Sequence, residues 1–163
     1  KVFKKDLMRY FGTLFLKGKE IEEVQKFTHK FVYTDLAKEI KDSTVKMMSE
    51  YKSKGYKIVL MSGSYIFVIE EVAKYFNIDY FYASKLNIVD KFFTGKYEKD
   101  ILLNKYDLLK REFKNFDKLV VISNNKTDLE LMKFADQSFA ICNKEKDLKF
   151  WKPHVNIFCI KDY

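Results

Sequence analysis

The sequence predicts an α/β fold, a doubly wound parallel sheet with a Rossmann-like core and a small helical cap. Three observations carry this. Apolar runs rich in β-formers alternate with segments of helical periodicity, the pattern of a layered α/β domain. Two of those runs, 56–61 and 119–122, stop abruptly at small polar residues, Ser62-Gly63-Ser64 and Ser123-Asn124-Asn125. Strands buried on both faces read as continuous apolar runs, and α/β sheets bind ligands beyond the carboxyl ends of such strands. Third, residues 1–40 hold helical periodicity without any strand pattern, which sets them apart as the cap, with 41–163 as the core.

Each element follows from local pattern. Leu7, Tyr10, Phe11, Leu14 and Phe15 recur at helical spacing, and Ile21, Val24, Phe27, Phe31 and Val32 resume it after Gly18. Asp42-Ser43-Thr44 caps a helix carrying Val45, Met48 and Tyr51, which Lys54-Gly55 ends. A strand over 56–61 leads into a helix over 65–76, with Val68, Val72 and Tyr75 on one face. A short strand over 80–83 precedes a hairpin over 88–95 that turns at Asp90-Lys91. A helix over 100–113 places Lys105 near its middle, and a strand over 119–122 runs into a helix over 127–134. Strands over 138–141 and 155–160 close the chain. The aromatic stripe Tyr75, Phe76, Tyr80, Phe81, Tyr82 reads as core, since its members fall on helix and strand faces.

Composition narrows the function classes. The 163 residues are 47% hydrophobic and 33% charged, which fits a globular chain with a real core. A net charge of +8 raises nucleic-acid binding, but Arg9 and Arg111 are the only arginines and the lysines are scattered among acids. That is the pattern of solvated lysine-rich faces, so neither nucleic acid nor membrane is expected as a partner. Cys142 and Cys159 form no CxxC pair and read as buried thiols in a reducing, cytoplasmic setting. With only His29 and His154, a His-based triad or metal cage is excluded.

The residues able to carry chemistry lie at the strand ends. Ser62, with the N–H groups of Gly63 and Ser64, can cradle a phosphate at a helix start, or simply turn a strand into a helix. Lys105 can neutralise a phosphoryl group, or be one more solvated lysine adding little to stability. Asn124 and Asp128, in the pattern Ser-Asn-x-x-x-Asp, can hold a hard cation, or serve as an ordinary helix start capped by Asn125 or Thr127.

Taken in order, residues 55–64, Lys105 and residues 122–132 resemble motifs two, three and four of the haloacid-dehalogenase superfamily, in its phosphoserine-phosphatase-like branch. Ala83-Ser84-Lys85-Leu86 and Phe93-Thr94-Gly95 resemble that branch's Ala-Thr-x-Leu-Glu stretch and its following Thr-Gly, with Asn87 where Glu is usual. The resemblance implies a Mg²⁺-dependent phosphatase that hydrolyses a small phosphorylated metabolite through an aspartyl-phosphate. It implies Ser62, Lys105 and Asp128 as catalytic residues, Ser62, Gly63 and Lys105 as phosphate-binding, and Asn124 and Asp128 as metal-binding. Two departures stand out. Asn124 replaces the usual metal-binding aspartate, and the strand ending in Asp-x-Asp-x-Thr, which carries the nucleophile, is absent. Since that strand is central in the family, flanked by the strands ending near Ser62 and Asn124, the expectation is a longer chain with the nucleophile upstream of Lys1. The alternative is a catalytically impaired relative acting as a binding or scaffolding module, which Asn124 favours.

Overall fold

Glycine and polar punctuation set the element boundaries in the computed structural model, which describes residues 2–40, 42–154 and 156–161. The chain divides into two compact units, Lys1–Ile101 and Leu102–Tyr163.

In the first unit, α1 (Val2–Leu16) and α2 (Ile21–Phe31) are separated at Gly18, whose φ of 75° ends a helix without the cost a side chain would incur. A wider turn, Val32–Leu36, leads to α3 (Ala37–Glu39) and then α4 (Asp42–Ser53), with Gly55 beyond it at φ 84°. Next come β1 (Val59–Tyr65), α5 (Ile66–Tyr75), β2 (Tyr80–Val89) and β3 (Phe92–Lys99). β1 and β2 pair in parallel, β2 and β3 antiparallel, and β1 forms one edge of this sheet. The hairpin turns at Asp90 (φ 48°) and Lys91 (φ 72°), the left-handed pair that matches the twist of a two-residue hairpin.

The turn after α1 is stitched to that hairpin. Gly18 N–H donates to the Phe93 carbonyl at 2.8 Å, Phe93 N–H to that of Lys19 at 3.0 Å, and Ile21 N–H to that of Lys91 at 2.9 Å. A Cβ on Gly95 would sit 3.0 Å from Lys17 Cβ, so glycine there lets α1 lie close on β3. Val24, Phe67, Leu86 and Phe93 form the buried cluster beneath.

The second unit contains α6 (Lys105–Glu112), β4 (Val120–Ser123), a single turn at Lys126–Asp128, α7 (Leu129–Phe134), β5 (Gln137–Cys142), α8 (Glu145–Trp151) and β6 (Ile157–Lys161). Its sheet is wholly parallel in the order β4-β5-β6, with β4 at an edge. Met132, Ala140, Cys142 and Trp151 are fully buried at its centre. Both Cys142 and Cys159 are free thiols. Among the described residues no helix is long and apolar enough to cross a membrane.

The α/β class is as the sequence predicts; several boundaries move. β1 runs on through Ser62-Gly63-Ser64 to Tyr65, and its register slips between Ser62↔Ala83 and Tyr65↔Ser84, so Gly63-Ser64 forms a bulge directly after Ser62. The strand expected over 80–83 is ten residues long, because it continues into the hairpin. The helix expected from 100 begins only at Lys105, since Asp100 and Ile101 are engaged by Arg9 and Ser84. α8 has no counterpart in the sequence reading: in seven residues, its apolar positions are too few to show a period. Val155 lies outside the described residues, and the last strand starts at Ile157. The aromatic stripe is not core: Tyr75 and Tyr80 are exposed and Phe76, Phe81 and Tyr82 half-buried. α1 likewise leaves Tyr10, Phe11, Leu14 and Phe15 exposed, burying Thr13 instead.

Met132 is completely buried with no polar role of its side chain. Met132→Ala is expected to cost about 2–5 kcal/mol by the cavity it leaves. Urea denaturation measures this as a lower midpoint at unchanged slope.

Candidate functional site

The turn after β4 is built by short polar side chains that bind neighbouring backbone. Asn125 N–H donates to Ser123 Oγ at 3.0 Å, and Asn125 Oδ1 accepts from Thr127 N–H at 3.4 Å. These bonds bend the chain so that Asp128, five residues beyond Ser123, folds back to it. Ser123 Oγ donates to Asp128 Oδ2 at 2.6 Å, and Lys105 Nζ donates to the same oxygen at 2.9 Å. The Lys105 and Asp128 side chains are only 9% and 6% exposed, so this is a buried ion pair.

Sequence reasoning placed Lys105 in mid-helix and offered a solvated lysine as the alternative; the structure corrects both. Lys105 is the first residue of α6, preceded by Asn104, and it is buried. A cation at a helix N-terminus opposes the helix dipole, and Asp128 supplies the compensating charge. Nor is Lys105 energetically minor, since removing one partner of a buried pair strands the other charge.

Asp128 Oδ1 is buried and has no hydrogen-bond partner among the described residues. A buried carboxylate oxygen left unpaired costs about 1–3 kcal/mol or more, and it is the kind of donor a hard cation takes. Asn124 is exposed beside this turn, with an amide oxygen for the same purpose. Among the described residues no three His, Cys, Asp or Glu side chains converge as a metal cage. The residues present thus fit part of a Mg²⁺ site, one that needs oxygen ligands besides these two.

In the first unit the Ser62-Gly63-Ser64 segment holds its own order. Ser64 N–H donates to Ser62 Oγ at 3.1 Å, while Gly63 is buried and Ser62 half-buried. α5 begins at Ile66, so the bulge does not open directly into the first helical turn. The dipole of α5, which fades within one turn, therefore contributes less than the sequence suggested. The Gly63 carbonyl accepts from Arg9 Nη2 at 2.8 Å.

Two polar residues that engage these turns, Ser123 and Arg9, are not among the residues the sequence singles out. Ser123 was readable as a small polar residue at a strand end, in the same place as Ser62 on its own strand. Arg9 carried no local signal, since its contacts lie 54 and 91 residues away. The two histidines take no part in either turn; His29 Nδ1 lies 2.6 Å from Glu71 Oε2 on the faces of α2 and α5.

Removing one partner of the Lys105–Asp128 pair is expected to cost about 3–5 kcal/mol. Lys105→Ala and Asp128→Ala should each destabilise by that order, and the double variant by much less than their sum. Chemical denaturation of the three variants reads the coupling; additive losses would mean that the pair contributes nothing as a pair.

The model of the haloacid dehalogenase-like hydrolase family matches residues 4–133. The phosphoserine phosphatase of Methanocaldococcus jannaschii is 27% identical over 135 residues, 79% of this chain and 61% of that protein. That of Streptococcus thermophilus is 29% identical over 104 residues, 60% of this chain and 48% of the relative. The chain thus spans about half to three fifths of the length of these relatives. Among solved structures, a phospho-aspartyl intermediate analogue of a phosphoserine phosphatase is 25% identical with a TM-score of 0.64, over 93% of this chain and 69% of that one. A protein of unknown function from Bordetella pertussis Tohama I, 14% identical, has a TM-score of 0.77 over 91% of this chain and 71% of its own. With the family model matched over most of its length, the chain belongs to the haloacid dehalogenase-like hydrolases.

Proposed function

We propose that this chain provides the cap and the phosphate-handling core of a cytoplasmic phosphatase that hydrolyses a small phosphomonoester. The observation that carries the reading is the buried Lys105–Asp128–Ser123 cluster, in which Asp128 Oδ1 has no hydrogen-bond partner among the described residues. A purely structural ion pair gains nothing from such an orphan; a site for a cation beside a transferring phosphoryl group does. The relatives named phosphoserine phosphatase make phosphoserine the first substrate to test.

In this reading, Ser62 Oγ–H and Gly63 N–H donate to the phosphoryl oxygens. Lys105 contributes positive charge of the kind that offsets the negative charge growing in phosphoryl transfer. Asp128 holds Lys105 extended through Oδ2, and Ser123 fixes that carboxylate so that Oδ1 stays open. Asn124 and Asp128 would hold Mg²⁺, which when bound neutralises phosphoryl charge. The nucleophile is an aspartate on a strand upstream of Lys1, forming an aspartyl-phosphate that water then hydrolyses. The edge positions of β1 and β4, each in its own sheet, support that assignment by leaving backbone donors and acceptors for a further strand. The helices within residues 1–40 serve as the cap that selects the substrate.

The second reading, a binding module descended from such enzymes, rests on Asn124, whose neutral amide holds a hard dication less strongly than a carboxylate. Two measurements on the full-length protein separate them. Ser62→Ala is expected to lower kcat/KM for an aryl phosphate by about 10²-fold, the effect of losing one donor to developing charge. Asn124→Asp is expected to lower the Mg²⁺ concentration at half-maximal rate without changing the substrate ranking. If neither the native protein nor Asn124→Asp hydrolyses any phosphomonoester at saturating Mg²⁺, with folding confirmed, the binding-module reading holds.

A further inference from the structure

Arg9, on α1, is more tightly held than any ordinary surface arginine, and one of its contacts reaches the Ser62 bulge. Nη1 donates to Asp100 Oδ2 at 3.0 Å and Nη2 to Asp100 Oδ1 at 2.7 Å, a forked pair. Asp100 is held in turn by Ser84 Oγ–H at 3.0 Å, and the fully buried Ser84 accepts from Ile101 N–H at 3.1 Å. The guanidinium also lies 4.9 Å from the centre of the Tyr97 ring. α1 is tied to β1 as well, since Tyr65 Oη donates to the Arg9 carbonyl at 3.2 Å, and a Cβ on Gly12 would collide with that hydroxyl. With the guanidinium placed by these partners, Nη2 donates to the Gly63 carbonyl at 2.8 Å.

The Gly63 carbonyl shares one planar peptide unit with the Ser64 N–H, which points the opposite way. That N–H donates to Ser62 Oγ at 3.1 Å. A cation on the carbonyl therefore acts on the serine in two ways. It fixes the plane of the peptide, and so the direction of the N–H. It also polarises the amide, making the N–H a stronger donor, as in any hydrogen-bonded chain. Once Ser62 Oγ accepts from Ser64 N–H, its own proton is directed away from that bond, free to be donated to an anionic oxygen.

We propose that Arg9 is a positioning residue for Ser62, acting through the Gly63–Ser64 peptide so that the serine hydroxyl is presented as a donor to a phosphoryl group. This rests on the phosphate-binding role of Ser62 proposed above. Lysine cannot substitute, because a single ammonium does not reproduce the fork to Asp100 while also reaching the carbonyl.

The test is a double-variant cycle in the full-length protein, read by kcat and KM for p-nitrophenyl phosphate and by inhibition with inorganic phosphate. Arg9→Met is expected to lower kcat/KM and weaken phosphate inhibition by about tenfold in the native background, within the coupling seen for groups in one network. In a Ser62→Ala background the same change should cost less than about twofold, since the group that Arg9 acts on is gone. Arg9→Lys, which keeps a charge beside Asp100, should follow the same cycle and serves if Arg9→Met does not fold. The Ser64 amide proton should also move upfield in either variant, as its donated bond weakens. Equal losses in both backgrounds, or no loss in either, would overturn the proposal and leave Arg9 as a tie for α1. If Ser62→Ala alone changes neither turnover nor phosphate inhibition, the phosphate role of Ser62 is wrong, and this inference goes with it.

Discussion

The buried pair of Lys105 and Asp128 sets the local order of the second unit. Neither charge is tolerable alone in that position, because an isolated ion removed from water costs several kcal/mol. Their mutual contact at 2.9 Å therefore joins the first residue of α6 to the turn after β4. Ser123 and Asn125 complete the arrangement by satisfying the remaining polar groups locally. What is left over is Asp128 Oδ1, buried and without a hydrogen-bond partner among the described residues. A structure that merely needed a stable turn has no reason to keep it.

The first unit solves a different problem, the presentation of three small residues at the end of a strand. The register slip between Ser62 and Tyr65 lets the backbone swell locally without breaking the pairing on either side, with Gly63 buried, Ser62 half-buried and Ser64 exposed. A bulge is soft unless something braces it. Here the brace comes from α1, through Arg9 on the Gly63 carbonyl and Tyr65 on the Arg9 carbonyl. Close approach of α1 depends on Gly12 and Gly95, where a side chain would collide with Tyr65 and Lys17. The stitched loop at Gly18 fixes the other end of the same helix. The helix that sequence periodicity marks as cap is thus also a support for the bulge.

The fold class was legible in the sequence because it rests on properties that are local and additive. Continuous apolar runs such as Val59-Leu60-Met61 and Val120-Val121-Ile122 state parallel strands directly; the polar residues after them mark the end of the second strand, while the first runs on to Tyr65. The hairpin at Asp90-Lys91 and the breaks at Gly18 and Gly55 were equally local, each set by a few backbone angles. Family membership followed from the same strand-end residues in order. The boundaries that moved did so where long-range partners competed with helical propensity: Asp100 and Ile101 are held out of α6 by Arg9 and Ser84.

What the sequence determined by itself, then, is the order of strands and helices, the turns, and the residue types available at each strand end. Only the tertiary structure decided the state of those residues. Among so many lysines nothing in sequence distinguishes Lys105 as buried, because burial depends on what folds over it from 23 residues away. Nothing local marks Arg9, since its partners at Gly63 and Asp100 become neighbours only when the sheet forms. The sequence equally could not say that Asp128 would use one oxygen and leave the other open. Periodicity reports which side chains share a face; it carries no information on which charges meet, and that pairing is what turns a strand-end motif into a site.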